Sequence, residues 1–233
     1  MQCVRVVLIG GTSHTGKSTV ARAVAERLGF DCRSTDKLAR HPGRPWRTAE
    51  WEPPPHVAEH YAGLDVDELI RSVLDHYAGL WPRIEALIND RARGDGPGLV
   101  LEGSALWPTR VAGLTSVPHT GAVWLTADEA VLRERLRSSA RYGELTGRER
   151  YLVDKFLARA ERFQTLVAQA VDAHGLARID TGGRSVGELV DAVLTTAGLP
   201  VHRGPVATPA EHCHDLPGTG SDRSRCGRPT ERA

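Results

Sequence analysis

The 233-residue sequence lacks any apolar run near the roughly 20 residues that a membrane-spanning helix needs. Its four cysteines are far apart and include no C-x-x-C pair, which argues against a disulfide framework and against a zinc ribbon. The chain also has no excess of one charge, because it contains 30 Lys and Arg residues and 29 Asp and Glu residues. Without a basic field, general nucleic-acid binding is not expected. We therefore expect a cytoplasmic protein that contacts neither membrane nor nucleic acid.

The hydrophobic residues, 40% of the chain, include several short β-rich runs that are separated by helical patterns. Continuous apolar runs of this kind are typical of parallel strands that are buried on both faces. The runs are Val4–Ile9, Leu99–Leu101, Ala122–Leu125 and Ala177–Ile179, with a fifth candidate at Cys32–Ser34. The pattern predicts an α/β domain in which helices cover both faces of a parallel sheet.

Helix starts are marked by an S/T/D-x-x-E spacing, in which the first side chain and the glutamate cap the helix reciprocally. The spacing occurs at Asp65/Glu68, Thr126/Glu129, Thr146/Glu149 and Ser185/Glu188. The first helix is predicted over Lys17–Leu28, ending at Gly29. A longer helical pattern follows Asp65, and we expect Gly79 and Pro82 to divide it into two helices. The other predicted segments are a surface loop at His41–Pro55 and a long helix at Arg148–His174.

The composition changes near the end of the chain. Residues 199–233 are rich in Pro, Gly, Ser, Arg and His and contain few large apolar side chains, so they cannot bury enough surface to fold. The sequence predicts one domain over residues 1–198 and a disordered tail over residues 199–233.

The strongest motif matches G-x-x-x-x-G-K-[ST] and lies between an apolar run and a helical pattern. Its glycines let the backbone wrap closely, so that N–H groups of the loop and of the helix N-terminus point at the β-phosphate. Lys17 is expected to reach the β and γ oxygens, and Ser18 to coordinate Mg²⁺. The predicted nucleotide-binding residues are Gly11, Thr12, Ser13, His14, Thr15, Gly16, Lys17, Ser18 and Thr19.

Two acidic residues stand at the ends of predicted strands. Asp36 is expected to face the crevice near the γ-phosphate and to accept the proton of an acceptor hydroxyl, unless it is the N-cap of the following turn. Glu102 is expected to hold Mg²⁺ through water or to contact the acceptor. The alternative for Glu102 is an exposed glutamate at a strand end.

Arginines are clustered in the helical pattern that follows Thr126. Arg133, Arg137 and Arg141 are spaced at i, i+4 and i+8, so a continuous helix would present all three on nearly one face. Such a face could clamp a transferring phosphate, and Arg137 and Arg141 therefore join Lys17 and Asp36 as catalytic candidates. A solvated helix face is the alternative.

Together these residues resemble the P-loop small-molecule kinases, and most closely the 2-phosphoglycerate kinase-like group, over about residues 4–197. Besides the Walker A loop, three segments follow the group's order and spacing. They are Ser34-Thr35-Asp36 with Arg40, Leu101-Glu102-Gly103 with Pro108, and Arg150-Tyr151-Leu152 with Phe156 and Arg159. The resemblance implies a three-layer α/β/α sandwich whose five parallel strands have the order 2-3-1-4-5, with an arginine-containing lid.

The resemblance also implies a kinase that uses ATP and Mg²⁺ to phosphorylate a hydroxyl of a small anionic metabolite such as 2-phosphoglycerate. Ser18 and Glu102 would then position the metal. The acceptor-binding candidates are Asp36, Arg40, Arg44, Glu102 and Gly103.

Several alternatives stay open at the level of the sequence. One is a nucleoside or nucleotide kinase, in which Trp46 and Trp51 would stack on the acceptor base, although simple packing also explains these two residues. An antibiotic phosphotransferase is another, and a nucleotide-dependent switch or binding module is a third. The choice between ATP and GTP, and between a monomer and a homodimer, is open as well.

Overall fold

The computed structural model describes residues 4–39, 43–48, 52–114 and 117–199, which form a five-stranded sheet with helices on both faces. The strands are β1 (Val6–Gly11), β2 (Asp31–Ser34), β3 (Leu99–Glu102), β4 (Thr120–Thr126) and β5 (Arg178–Asp180). The helices are α1 (Lys17–Leu28), α2 (Pro55–Gly63), α3 (Val66–Arg93), α4 (Pro108–Ala112), α5 (Glu129–Ser139), α6 (Gly147–Ala173) and α7 (Val186–Thr196).

The sheet is parallel throughout, and its order β2-β3-β1-β4-β5 confirms the predicted order 2-3-1-4-5. In the centre, Val6 of β1 is opposite Leu99 of β3 and Thr120 of β4. Because all strands point the same way, their carboxyl ends share one edge of the sheet, where the crevices of doubly wound folds bind ligands. The loop after β1, the turn after β2 and the end of β3 therefore lie along one edge.

Alternation along β1 explains why its sequence is apolar throughout. Val7 and Ile9 pack against α1 and α7 on one face, whereas Val6 and Leu8 pack against α3 and α6 on the other. Successive side chains of a strand point to opposite faces, so a strand covered on both sides buries every one of them.

A third apolar cluster lies outside the two sheet faces and joins α2, α5 and the first half of α6. Trp46, Tyr61, Leu132 and Phe156 are among its buried members. The expectation of a surface loop at 41–55 is therefore only partly correct: residues 43–48 and 52–54 are not helical, but Trp46 is buried, and α2, which was not predicted, begins at Pro55.

Three of the four predicted capping boxes are formed, at Asp65/Glu68, Thr146/Glu149 and Ser185/Glu188. The fourth is wrong, because Thr126 is the last residue of β4 and the N-cap of α5 is Asp128, whose side chain forms no capping hydrogen bond. The carbonyl of Thr126 instead accepts a hydrogen bond from the backbone N–H of Thr181 at 2.9 Å, which extends the pairing with the β5 segment.

The predicted division of the helix after Asp65 is also wrong, since α3 continues through Gly79 and Pro82. A proline inside a helix costs about 3 kcal/mol through a lost hydrogen bond and a steric clash. Here Leu80 and Ile84 on either side of it are buried in the core, and this packing holds the helix together.

None of the helices in the described ranges has an apolar stretch that could cross a membrane. The predicted tail lies outside the described residues from position 200 onward.

Candidate active site

The motif Gly11–Ser18 comprises the last residue of β1, the loop after it and the start of α1, and both of its glycines have backbone angles that other residues rarely adopt. Gly16 has φ 88° and Gly11 has φ 129°. A Cβ at Gly11 would lie 2.3 Å from the carbonyl oxygen of Leu125 in β4, so a side chain would displace the neighbouring strand. The loop can pass this close to the sheet only with glycine at this position.

Lys17 is almost fully buried at the start of α1, and its Nζ donates a hydrogen bond to the carbonyl oxygen of Thr12. Burial lowers the pKa of this ammonium, an effect that the carboxylates of Glu102 and Asp36 oppose. No ion pair of Lys17 is present within the described part of the chain. The loop thus holds a cation whose partner is only a backbone carbonyl, as a phosphate-binding lysine requires.

The loop is fastened from within and from α6. The Thr15 hydroxyl donates to the carbonyl of Thr12 at 2.9 Å, and the Thr12 hydroxyl donates to the carbonyl of Ala160 at 3.2 Å. Both threonine side chains are buried, so the loop conformation is fixed before any ligand arrives.

Ser18 and Glu102 meet directly, because the Ser18 hydroxyl donates to Oε1 of Glu102 at 3.0 Å. Glu102 is buried at the end of β3, so the expectation of an exposed strand-end glutamate is not met. A hydroxyl and a carboxylate are the oxygen ligands that Mg²⁺ accepts, directly or through water. The two residues therefore fit a magnesium site beside the phosphate-binding loop.

Asp36 lies inside a short 3-10 helix, Thr35–Lys37, that follows β2. Its N-cap is Ser34, whose hydroxyl accepts a hydrogen bond from the N–H of Asp36 at 3.3 Å. The alternative role of Asp36 as the N-cap is therefore wrong, and Asp36 instead lines a cavity.

Gly103 follows β3 with φ 152°, and its N–H donates to the carbonyl of Ile9 at 3.1 Å. A Cβ at this position would lie 1.8 Å from Oγ1 of Thr35, the residue before Asp36. Gly103 thus permits close contact between the end of β3 and the turn that carries Asp36.

The cavity at this edge has a volume of about 740 Å³ and adjoins the phosphate-binding loop through Ser13. Two predicted acceptor-binding residues, Asp36 and Arg44, are in its lining, and Glu102 contacts the loop at Ser18. Other lining residues come from α2, α3 and α6, and include Val57, Tyr77, Phe156 and Arg159. Arg40, also predicted to bind the acceptor, lies outside the described residues.

Arg159 is a site residue to which the sequence analysis gave no role beyond its place in a pattern. It is buried, and its guanidinium carbon lies 4.6 Å from the ring centroid of Phe156 and 5.5 Å from that of Tyr61. Its position three residues after Phe156 and four before Phe163, on the apolar face of α6, was the available signal for its burial.

The three arginines predicted to share a helix face do not do so, because α5 ends at Ser139 and Arg141 has φ 49° beyond it. Arg133 and Arg137, which are on α5, make ion pairs with Glu161 and Asp154 at 2.7 and 3.6 Å, and Arg141 approaches Glu144 at 3.9 Å. The guanidinium of Arg137 also lies 4.7 Å from the ring centroid of Tyr142.

A different arginine of α5, Arg135, contacts the phosphate-binding loop. Its Nη1 donates to the carbonyl of His14 at 3.3 Å and to the hydroxyl of Thr181, after β5, at 3.2 Å. The sequence analysis did not predict this contact, because the spacing of Arg133, Arg137 and Arg141 indicated the opposite face of the helix.

His14, a predicted nucleotide-binding residue, has φ 63° and turns its ring toward Trp46 and Phe156, with centroid separations of 6.1 and 6.4 Å. Burial, then the charges of Arg44, Lys17 and Arg135, lower the pKa of His14 from 6.5 to about 4. The imidazole is therefore neutral near pH 7. Trp46 also packs against Phe156, at 4.9 Å, as the packing interpretation expects; Trp51 lies outside the described residues.

A family model described as AAA domain matches residues 7–150, which is more than half of the chain. Among solved structures, a gluconokinase from Sinorhizobium meliloti 1021 is similar at 20% identity and a TM-score of 0.45, with 85% of this chain and 94% of that chain covered. Shikimate kinase from Aquifex aeolicus vf5 is similar at 14% identity and a TM-score of 0.48, with 82% and 95% covered. No curated protein matches the sequence.

Proposed function

The chain belongs to the AAA domain family, and from this premise we propose that it is an ATP-dependent phosphotransferase that acts on a hydroxyl of a small, anionic metabolite such as 2-phosphoglycerate. The observation that carries the proposal is the cavity of about 740 Å³ that opens beside the phosphate-binding loop and is lined by Asp36. A switch or motor needs a nucleotide site, but it does not need a second cavity with a carboxylate next to the γ-phosphate position.

In the proposed reaction, the oxygen of the acceptor hydroxyl forms a bond to the γ-phosphorus while the bond between that phosphorus and the β–γ bridging oxygen breaks. Asp36 accepts the hydroxyl proton, and ADP leaves. Lys17 and the loop N–H groups neutralise and orient the phosphate oxygens.

Mg²⁺, when bound through Ser18 and Glu102, supplies further positive charge to the phosphate oxygens. The protein's own part is to hold the Ser18 hydroxyl against the buried Glu102 carboxylate, so that both oxygens are placed at the mouth of the loop.

In the proposed reaction, Arg137 and Arg141 neutralise the negative charge of the transferring phosphoryl group. Their side chains contact Asp154 and Glu144, so this role requires them to leave those carboxylates during turnover. Trp46 is buried against Phe156, which supports an acceptor other than a base stacked on this indole.

The test is an assay of ADP release with Mg²⁺ across phosphorylated three-carbon acids, sugar acids, nucleosides and aminoglycoside-like compounds. Acceptor-dependent release that Lys17→Ala abolishes is the expected result, because the variant lacks the phosphate-binding cation. Slow ADP release that no acceptor changes would contradict a phosphotransferase and favour a nucleotide-dependent switch.

A further inference from the structure

Arg159 is a buried cation without a counter-ion in the described part of the chain. Its side chain is 9% exposed, and Nη1 is inaccessible and has no hydrogen-bond partner. A guanidinium stays charged at any pH that a folded protein tolerates. Since burying an unpaired charge is costly, such a residue calls for a partner from outside the described part of the chain.

The surroundings of Arg159 fix its position but do not neutralise it. The guanidinium lies over Phe156 and near the face of Tyr61, and Phe156 is itself held by Trp46. Aromatic faces attract a cation, yet they satisfy none of its N–H donors. The hydroxyl of Tyr61 is likewise buried without a partner, so a second polar group near this arginine is unsatisfied.

Arg159 also lines the cavity that Asp36 and Ser13 line. Although Nη1 is inaccessible, part of the Arg159 side chain thus borders the space in which the proposed acceptor would lie. Arg44, the other arginine of this lining, is less buried, and its guanidinium lies 6.0 Å from the ring centroid of Trp46 in the same aromatic cluster.

We propose that Arg159 binds an oxyanion of the acceptor, a carboxylate or a phosphate monoester, while the hydroxyl to be phosphorylated lies at Asp36. The proposal rests on the proposed function and narrows the substrate class to hydroxy acids and phosphorylated hydroxy compounds. The planar guanidinium offers parallel N–H donors that match two oxygens of either group. Arg159 therefore selects acceptors by charge, and Asp36 selects the oxygen that reacts.

The test is a calorimetric titration of the full chain in the presence of saturating ADP and Mg²⁺, so that added anions cannot occupy the phosphate-binding loop. One arm uses glycerate and gluconate, a second uses 2-phosphoglycerate and glycerol 3-phosphate, and a third uses the neutral polyols glycerol and glucitol. The variants are Arg159→Met, Arg159→Lys, and Arg162→Met as the control. Arg162 is on the same helix, half-exposed and 3.9 Å from Asp67.

We expect at least one acid arm, and no polyol, to bind to the wild type and to Arg162→Met. Arg159→Met should weaken that binding about tenfold or more, the usual size of a charge-assisted hydrogen bond. Arg159→Lys, which keeps the charge but loses the planar fork, should give an intermediate affinity and shows that loss in the methionine variant is not unfolding. Binding of glycerate or gluconate identifies the oxyanion as a carboxylate, and binding of glycerol 3-phosphate, which has no carboxylate, identifies it as a phosphate.

Equal binding to Arg159→Met and wild type, binding of polyols as tight as that of acids, or no binding in any arm would overturn the proposal. Failure of the proposed function gives a different result from failure of the anion site. Oxyanion binding that depends on Arg159, with no ADP formed from ATP in any arm, would retain the anion site and reject phosphoryl transfer. Acceptor-dependent ADP release that is unchanged in Arg159→Met would retain phosphoryl transfer and reject the anion site at Arg159.

Discussion

In the proposed reaction Asp36 acts on the acceptor alone, since the N-cap of its turn is Ser34 and Asp36 lines the cavity. We expect Asp36→Asn to lower turnover by about 10²- to 10⁴-fold, the usual contribution of a general base, and to leave ATP affinity nearly unchanged. Steady-state kinetics and equilibrium ATP titration separate the two effects.

The control for Asp36 is Asp95→Asn, which removes an exposed carboxylate from the loop before β3. Its turnover should equal that of the wild type. Loss of ATP binding in Asp36→Asn as large as in Lys17→Ala would reject the role given to Asp36.

His14 makes stability depend on pH, because its pKa falls from 6.5 to about 4 on burial beside Arg44, Lys17 and Arg135. Between these two values the unfolded chain binds a proton that the native protein does not, so stability rises with pH across this window. The histidine contributes nothing above the window, and below it the native state is destabilised by about 3 kcal/mol.

We expect the wild type to lose about 2 kcal/mol more than His14→Asn between about pH 7 and about pH 5 in urea unfolding. Asparagine tolerates the left-handed backbone at this position. His119→Asn is the control, since His119 has φ 61° and its carbonyl accepts from Arg5 and Val6 at the opposite end of β1. The same pH slope in wild type and His14→Asn would show that His14 is protonated in the native state.

At the scale of elements, α5 supports the phosphate-binding loop through one residue. Arg135 bridges the carbonyl of His14 and the hydroxyl of Thr181, and thereby ties the loop after β1 to the segment after β5. The backbone of His14 is in the left-handed region, so an external hydrogen bond helps to hold it there.

We expect Arg135→Ala to weaken nucleotide affinity about tenfold, because the bound conformation of the loop is then less populated. Arg133→Ala, two residues earlier, removes only a surface ion pair with Glu161 and should bind nucleotide as the wild type does. Equal affinities of the two variants in an ADP titration would show that Arg135 does not position the loop.

At the scale of the whole molecule, the site depends on close contact between segments that are distant in sequence. Gly103 lies against Thr35 so closely that a Cβ would be 1.8 Å from the threonine oxygen. Gly103→Ala should therefore displace the turn that carries Asp36 and destabilise the fold by about 1–3 kcal/mol. Urea unfolding measures the loss of stability, and turnover measures the displacement.

Gly79→Ala is the matched control, since a Cβ at Gly79, inside α3, meets no atom within 4 Å. Alanine is the better helix former, so this variant should be as stable as the wild type or more stable. The double variant Gly103→Ala with Thr35→Ala should recover part of the lost stability, because the closest clashing atom is then gone. No recovery would show that the strain comes from the backbone of Gly103 or from the Cβ of residue 35, 2.9 Å away, and not from the threonine hydroxyl.

Local patterns predict much of this protein because they act over a few residues. The bounds of α1, the positions of the five strands and the phosphate-binding loop agree with what these patterns predict, whereas the strand order was expected only from the resemblance to P-loop small-molecule kinases. Backbone freedom at glycine, reciprocal capping and apolar periodicity are properties of short segments, so the sequence determines them by itself.

Tertiary packing decided the rest. Pro82 stays helical because neighbouring side chains are buried, and Arg135 rather than Arg141 reaches the loop because α5 ends at Ser139. Arg159 differs from the other arginines only in what surrounds it, an aromatic cluster drawn from α2, α6 and the segment 43–48. Burial and charge pairing depend on contacts between distant segments, and no local pattern encodes which buried arginine lacks a counter-ion among the described residues.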